Sequence, residues 1–284
     1  MGKMKQINKK RILLVIVALL FPIGTLSCAT SGINKGQFNM ISLSQELEMG
    51  KAYAKQLDEE LEKQNKKEKM ILLQEYVERL GQRIARNSHL NSIPYHFEVI
   101  ESDQINAFAL PGGYIYVYRG LIDAAENEAQ LVSVLAHEIG HVAARHATER
   151  ISLIQGADFL SSILFAIFGV PPVWQRQAIQ FAELLGFLAY TRSQESEADQ
   201  LGLQYMQKGG FDPHGMLNFF KVIQRKNEKE PFLLAKLFSS HPLTNDRIAM
   251  VENKLRGHSL PDRPDPWKVT SPEFTIIKSY IDKD

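Results

Sequence analysis

An α+β fold, mainly helical with one small β-sheet, is what the sequence predicts for this 284-residue chain. Three observations carry that prediction. Apolar residues recur at helical spacing through most of the chain, as in Leu72, Leu73, Tyr76, Val77 and Leu80. Alternation of the strand type is confined to residues 95–101 and 106–122. The composition, 44% apolar and 23% charged, is that of an ordinary globular protein. It excludes a disordered, collagen-like or multi-span membrane chain.

The N-terminus reads as an address. Lys3, Lys5, Lys9, Lys10 and Arg11 precede an apolar run over 12–26 that Pro22 interrupts. The run is shorter than the roughly 20 residues of a membrane-spanning helix and has the pattern of a secretory signal. Cys28, the only cysteine, ends it. This resembles a bacterial lipoprotein signal, which implies acylation of Cys28 and a membrane anchor there. A lone cysteine leaves no intramolecular disulfide and no Cys-rich metal site, and it suits an oxidising compartment. The whole chain carries a net charge of +1, but without residues 1–27 it has 28 basic against 32 acidic residues, net −4. Nucleic acid is therefore not an expected partner.

The expected organisation is a signal over 1–27, a polar tether over 28–40, one domain over 41–257 and an irregular extension over 258–284, which holds four prolines. Residues 43–87 read as two helices broken near Lys63–Lys69, with no internal repeat. Within 106–122 the turn Pro111-Gly112-Gly113 precedes Tyr114, Tyr116 and Tyr118, expected on a half-exposed face, with Ile115 and Val117 on the other. Helices are expected over 126–149, 174–190, 193–208 and 213–228, and from the cap signal Thr244-Asn245-Asp246 to Gly257. The apolar segment 157–170 reads as a helical lid or core hairpin.

The chemistry is concentrated in His137-Glu138-Ile139-Gly140-His141, inside an apolar, proline-free helical stretch. Positions i and i+4 lie about 40° apart and about 6 Å along a helix, so the two imidazoles can converge on one ion. Imidazole suits zinc. Glu138 flanks the ion without binding it, which suits a general base acting on water. Random order would produce this pattern roughly 0.02 times in such a chain.

A catalytic zinc takes three protein ligands. In Ser193-Gln194-Glu195-Ser196-Glu197-Ala198-Asp199, helical phase separates the acids. Glu195 shares the core-facing stripe of Ala198, Gly202 and Tyr205, so it is the candidate third ligand. Glu197 shares a polar stripe with Gln200, Gln204 and Lys208 and is expected on a solvated face. Asp199, one turn after Glu195, is the candidate acceptor for the far N–H of a ligand histidine.

With the Glu195–Asp199 segment, the histidine motif resembles the HtpX/Oma/BepA-like zinc metallopeptidase family, of the gluzincin type. Asn106-Ala107-Phe108-Ala109 with Pro111-Gly112-Gly113, and His241-Pro242-Leu243-Thr244-Asn245-Asp246-Arg247-Ile248, extend the likeness over about residues 40–256. The resemblance implies one α+β domain and one zinc ion per chain. It also implies a lipid-anchored periplasmic endopeptidase acting on misfolded or stalled envelope proteins. A peptide is expected to lie along the strand near Gly113–Tyr118, adding a strand to its edge. Chemical need and the resemblance assign one of His241 and Arg247 to the transition-state charge, with His241 also able to close the fourth zinc position as a latch. The alternative is a chaperone-like binding module on the same fold, which has no use for Glu138 beside the metal.

Overall fold

The computed structural model describes residues 33, 37–61, 68–154, 189–257 and 267–281. The signal, Cys28, most of the tether, segment 157–170 and nearly all of the helix expected over 174–190 lie outside them.

Two helices, α1 (Leu43–Leu61) and α2 (Glu68–Ala85), open the described chain. α2 buries Leu73, Tyr76, Val77 and Leu80 of the stripe that the sequence pattern marks out, together with Ile84, whereas Leu72 of that stripe faces outward and is exposed. Three strands follow: β1 (His96–Ile100), β2 (Ala107–Leu110) and β3 (Tyr114–Tyr118). The sheet order is β1-β3-β2, with β1 parallel and β2 antiparallel to β3. Pro111–Gly113 makes the reversal between β2 and β3. There Gly112 and Gly113 have φ of 75° and 93°, and a Cβ on Gly113 would stand 2.5 Å from the Pro94 carbonyl oxygen.

This order corrects two expectations. β3 is the middle strand and has both edges paired, so a peptide cannot add to it. Nor do its tyrosines form a half-exposed face. Tyr116 and Tyr118 are buried with Phe108, Leu57, Ile100 and Leu110 in a second small core beneath α1, and only Tyr114 is partly exposed. The outer edge of β1 is also closed. Gln74, Glu78 and Gln82 lie along one face of α2 and bond the backbone of β1 and the residue before it: Gln74 accepts from Val99 N, Glu78 accepts from Phe97 N and Gln82 donates to Tyr95 O. The remaining edge is that of β2. Tyr118 N donates to Asn106 O. By the antiparallel alternation, the backbone groups of Ala107 and Ala109 then point away from β3.

Next come α3 (Arg119–Ala124) and α4 (Glu128–Ala143), whose first turn is capped by the Asn127 side chain accepting from Gln130 N at 3.1 Å. Helix does not run unbroken to 149 as periodicity suggests. It stops at Ala144, Arg145 takes a left-handed φ of 55°, and a new helical segment starts at 146. Then follow α5 (Arg192–Gly209), α6 (His214–Lys229), α7 (Pro231–Ser240) and α8 (Asn245–Gly257). α5 starts in a capping box between Thr191 and Gln194. α7 is absent from the sequence reading; Pro231 opens it at its first turn. The C-terminal extension is not irregular throughout. It contains α9 (Pro272–Ile281), which buries Phe274, Ile277 and Ile281. No helix among the described residues is long and apolar enough to cross a membrane.

Candidate metal centre

α4 is buried along its whole length and carries the histidine pair. His137 and His141 sit one turn apart with their Nε2 atoms 3.0 Å from each other. α5 crosses α4 closely because small residues meet there: a Cβ on Gly140 would lie 2.8 Å from the Ala198 carbonyl oxygen. That approach delivers Glu195, whose Oε1 is 3.2 Å from His141 Nε2 and whose Oε2 is 3.5 Å from His137 Nε2. His241 caps the C-terminus of α7 and leaves the helical region before Pro242, with φ −126° and ψ 78°. Its Nδ1 lies 3.3 Å from His137 Nε2 and 3.0 Å from Glu195 Oε1.

One donor atom from each of His137, His141, Glu195 and His241 thus lies within 4.8 Å of all the others. Four ligand atoms bound tetrahedrally at about 2.0–2.1 Å stand about 3.3–3.4 Å apart, and the measured separations bracket that spacing. The residues present therefore fit a tetrahedral ion with nitrogen and oxygen ligands.

Charge in the site is arranged for a cation. Burial disfavours ionisation of Glu195, but the His241 ring and hydrogen bonds to His137, His141 and His241 hold its carboxyl well below the usual range. Burial likewise opposes ionisation of Asp199, and the Arg247 guanidinium outweighs it. On His137, burial opposes the proton, while hydrogen bonds to Asp199 and Glu195 push its pKa up to about 10. Burial drives His141 well below its ordinary value, and the charge on His137 adds to that effect.

Asp199 faces His137 Nδ1 at 2.8 Å. Arg247, one of the two candidates for the transition-state charge, points elsewhere. Its Nε and Nη2 donate to the two oxygens of Asp199 at 2.7 Å, and its Nη1 lies 2.6 Å from Glu195 Oε2 and 3.1 Å from the Pro242 carbonyl. A bidentate fork already closed on a carboxylate is not free to meet a developing oxyanion. Glu138 is buried, with Oε1 3.7 Å from His241 Nε2. Glu138 Oε2 and His241 Nε2 are buried without a hydrogen-bond partner. Both border a small cavity of about 40 Å³ whose wall is otherwise mainly apolar, with Val134, Met216, Phe219, Phe220 and Ile223 facing His137, Asp199 and Arg247.

The structure brings together every site residue named from the sequence that falls among the described residues, and it adds two; Cys28 lies outside them. Tyr190 stacks on the His141 ring with centroids 3.8 Å apart. Periodicity puts it in a helix, whereas it occupies a non-helical stretch just before the cap of α5. His146 lies against His141, Nδ1 to Nδ1 at 2.8 Å, and its Nε2 is 3.2 Å from Glu197 Oε2. Glu197 is accordingly not the solvated acid that its helical stripe suggests.

Residues 72–255 match the profile of Peptidase family M48, and the chain belongs to that family. It is 34% identical to a beta-barrel assembly-enhancing protease of Escherichia coli (strain K12) over 226 residues, 75% of this chain and 44% of that protein. It is 34% identical over 231 residues to a putative beta-barrel assembly-enhancing protease of Vibrio cholerae, 77% of this chain and 46% of that one. To the mitochondrial metalloendopeptidase OMA1 of Schizosaccharomyces pombe it is 30% identical over 223 residues, 78% of this chain and 64% of that protein. The chain spans about half the length of the curated bacterial relatives it matches.

Proposed function

We propose that the chain is a zinc-dependent endopeptidase, with zinc on His137, His141 and Glu195 and with Glu138 as general base. The observation that carries this reading is the donor tetrahedron with an unliganded, buried carboxylate beside it. When bound, zinc supplies Lewis acidity and makes water acidic enough to be deprotonated near neutral pH. Glu138 takes the proton of the attacking water at its carboxylate and delivers it to the leaving amine nitrogen. Asp199 accepts from His137 Nδ1 and fixes that ring, while Arg247 holds Asp199 and Glu195 in place.

His241 is the latch in this reading, because its Nδ1 already stands within the donor set. Displaced by substrate, it presents a ring N–H to the transition-state oxyanion. The two roles separate on mutation. His241→Ala leaves or raises basal activity if the latch dominates. If the donor role dominates, the variant loses roughly 100-fold in kcat with zinc retained.

The substrate backbone pairs with the groups of Ala107 and Ala109 that point away from β3, rather than with β3 itself, once that edge, buried in the substrate-free fold, is uncovered. The relatives named for β-barrel assembly support misfolded or stalled envelope proteins as clients. The N-terminal pattern supports export and a lipid anchor on Cys28 at the periplasmic face, in the outer membrane. Mass spectrometry of membrane-extracted protein is expected to show a diacylated N-terminal Cys28; a free thiol there refutes the anchor.

The test of the activity is zinc content and casein cleavage of the parent beside Glu138→Gln. Both proteins are expected to carry zinc and only the parent to cleave. Zinc loss from Glu138→Gln makes that residue structural, and a zinc-loaded parent that never cleaves favours a binding module.

A further inference from the structure

We infer that His146 and Glu197 are positioning residues for the metal ligand His141, forming a relay that runs from the N-terminal segment to the metal. This rests on the proposed zinc site and concerns the one ligand ring with no carboxylate on its far side. His137 has Asp199 directly on Nδ1. His141 instead has His146, and behind His146 stands Glu197, which receives the Gln37 side-chain amide at 3.0 Å.

The proton placement in this chain is determined by its ends. Glu197 as a carboxylate only accepts, so His146 Nε2 carries the hydrogen and His146 Nδ1 is left as the acceptor. His141 Nδ1 must then donate to it, which leaves the lone pair of His141 Nε2 facing the donor tetrahedron. An imidazole interposed between ligand and carboxylate thus sets the same tautomer on His141 that Asp199 sets on His137. The Tyr190 ring, flat against His141, restricts rotation of the same side chain.

Local backbone shows that this contact is built. In an unbroken helix, residue 146 would point about 140° away from residue 141. The chain reaches the observed contact only because helix α4 stops and Arg145 adopts φ of 55°, a conformation L side chains rarely take. That residue is held down by Glu46 Oε2 at 2.5 Å and by the Ile41 carbonyl at 2.6 Å. Strain of this kind persists where surrounding contacts enforce it. Asn39 and Met40 bond Thr148 and Ser152 on the next turns, so the segment entering the domain is stitched over the helix that starts with His146.

The experiment measures zinc affinity by chelator competition, with the visible spectrum of the cobalt-substituted protein as a second readout. It uses the parent, His146→Leu, His146→Asn and Glu197→Ala, each checked for unchanged far-UV circular dichroism. His146→Leu removes the acceptor and is expected to weaken zinc binding about 10–100-fold and to alter the cobalt spectrum. His146→Asn keeps an acceptor oxygen where Nδ1 stood and is expected to stay within a few-fold of the parent. Glu197→Ala, partly exposed and a safeguard should His146→Leu fail to fold, is expected to weaken binding several-fold. Parent-like affinity in both His146→Leu and Glu197→Ala overturns the relay, as does an Asn variant no better than Leu. A parent that binds no zinc overturns the zinc site itself and is thereby distinguishable.

Discussion

Glu138 and Glu195 are both buried carboxylates within reach of His241, yet their partners give them different tasks. Glu195 has three imidazoles and Arg247 around it, so replacing it by Gln removes a charge that the whole cluster is built on. Glu195→Gln is expected to lower bound zinc to a small fraction of the parent's, measured by atomic absorption after dialysis. Glu138→Gln is expected to keep zinc and to lose activity by at least roughly 100-fold. Acidity supplies a further check. Metal-free His137 holds its proton up to about 10, and the ligand form has none, so zinc displaces that proton at any lower pH. His141 sits well below its ordinary value and is already neutral near pH 7. Between pH 6.5 and 8.5, zinc affinity is therefore expected to fall about tenfold per unit decrease in pH, with about one proton released. A slope near two would show that a second imidazole of the donor set is protonated in the metal-free protein. The i, i+4 spacing and the stripe of Glu195 made most of this cluster legible in the sequence, because helical phase is a local property. His146 was not legible. Only the break at Arg145 turns it back toward His141, and a left-handed arginine leaves no mark in a periodicity.

At the scale of elements, the site exists because α4 and α5 touch at Gly140 and Ala198. Any side chain at 140 meets the backbone of α5, which cannot move as a flexible side chain would. Gly140→Val is expected to cost roughly 1–3 kcal/mol of stability by overpacking, read from denaturant unfolding. It is also expected to weaken zinc binding by moving Glu195 away from the histidines, with the ligands themselves intact. The same contact was half visible beforehand: small residues in both helices were plain, but their meeting was not. Sheet order was not visible at all. Two alternating stretches do not reveal that β3 inserts between β1 and β2, parallel to the first and antiparallel to the second, since pairing across a sheet is non-local. The consequence for substrate is specific. Ala109→Pro removes an N–H that points away from β3 and spares the ladder. It is expected to lower kcat/KM about tenfold or more while zinc content stays at the parent level. Unchanged kcat/KM would place the peptide elsewhere.

Across the whole molecule, the C-terminal segment acts as a strap on the metal-bearing helix. Val269 O accepts from Ala129 N in the first turn of α4, and Lys268 and Ser271 both reach the buried Glu128, which also accepts from Tyr76. α9 then packs Phe274 against Tyr76 and sets Lys278 on Asp123. Four prolines predict an irregular wrap, and the path does pass over the domain; its anchoring by a helix is not legible in the sequence, because ten residues hold too few helical periods. The apolar part of this strap is separate from the donor cluster, so stability and metal binding can be perturbed independently. Phe274 is 3% exposed, and Phe274→Ala is expected to cost roughly 3–5 kcal/mol. For a domain of this size that lowers Tm by roughly 6–20 °C. If zinc is the ion, its removal is expected, by contrast, to take away only a ligand of the folded state, because the main core of α2, α4, α5 and α6 is packed from apolar side chains alone. Chelated parent protein is expected to keep its far-UV circular dichroism and a cooperative thermal transition, and to regain activity when zinc is restored. Cooperative unfolding on chelation at 25 °C would instead assign the ion a structural role, closed to substrate, and the peptidase reading would fall with it.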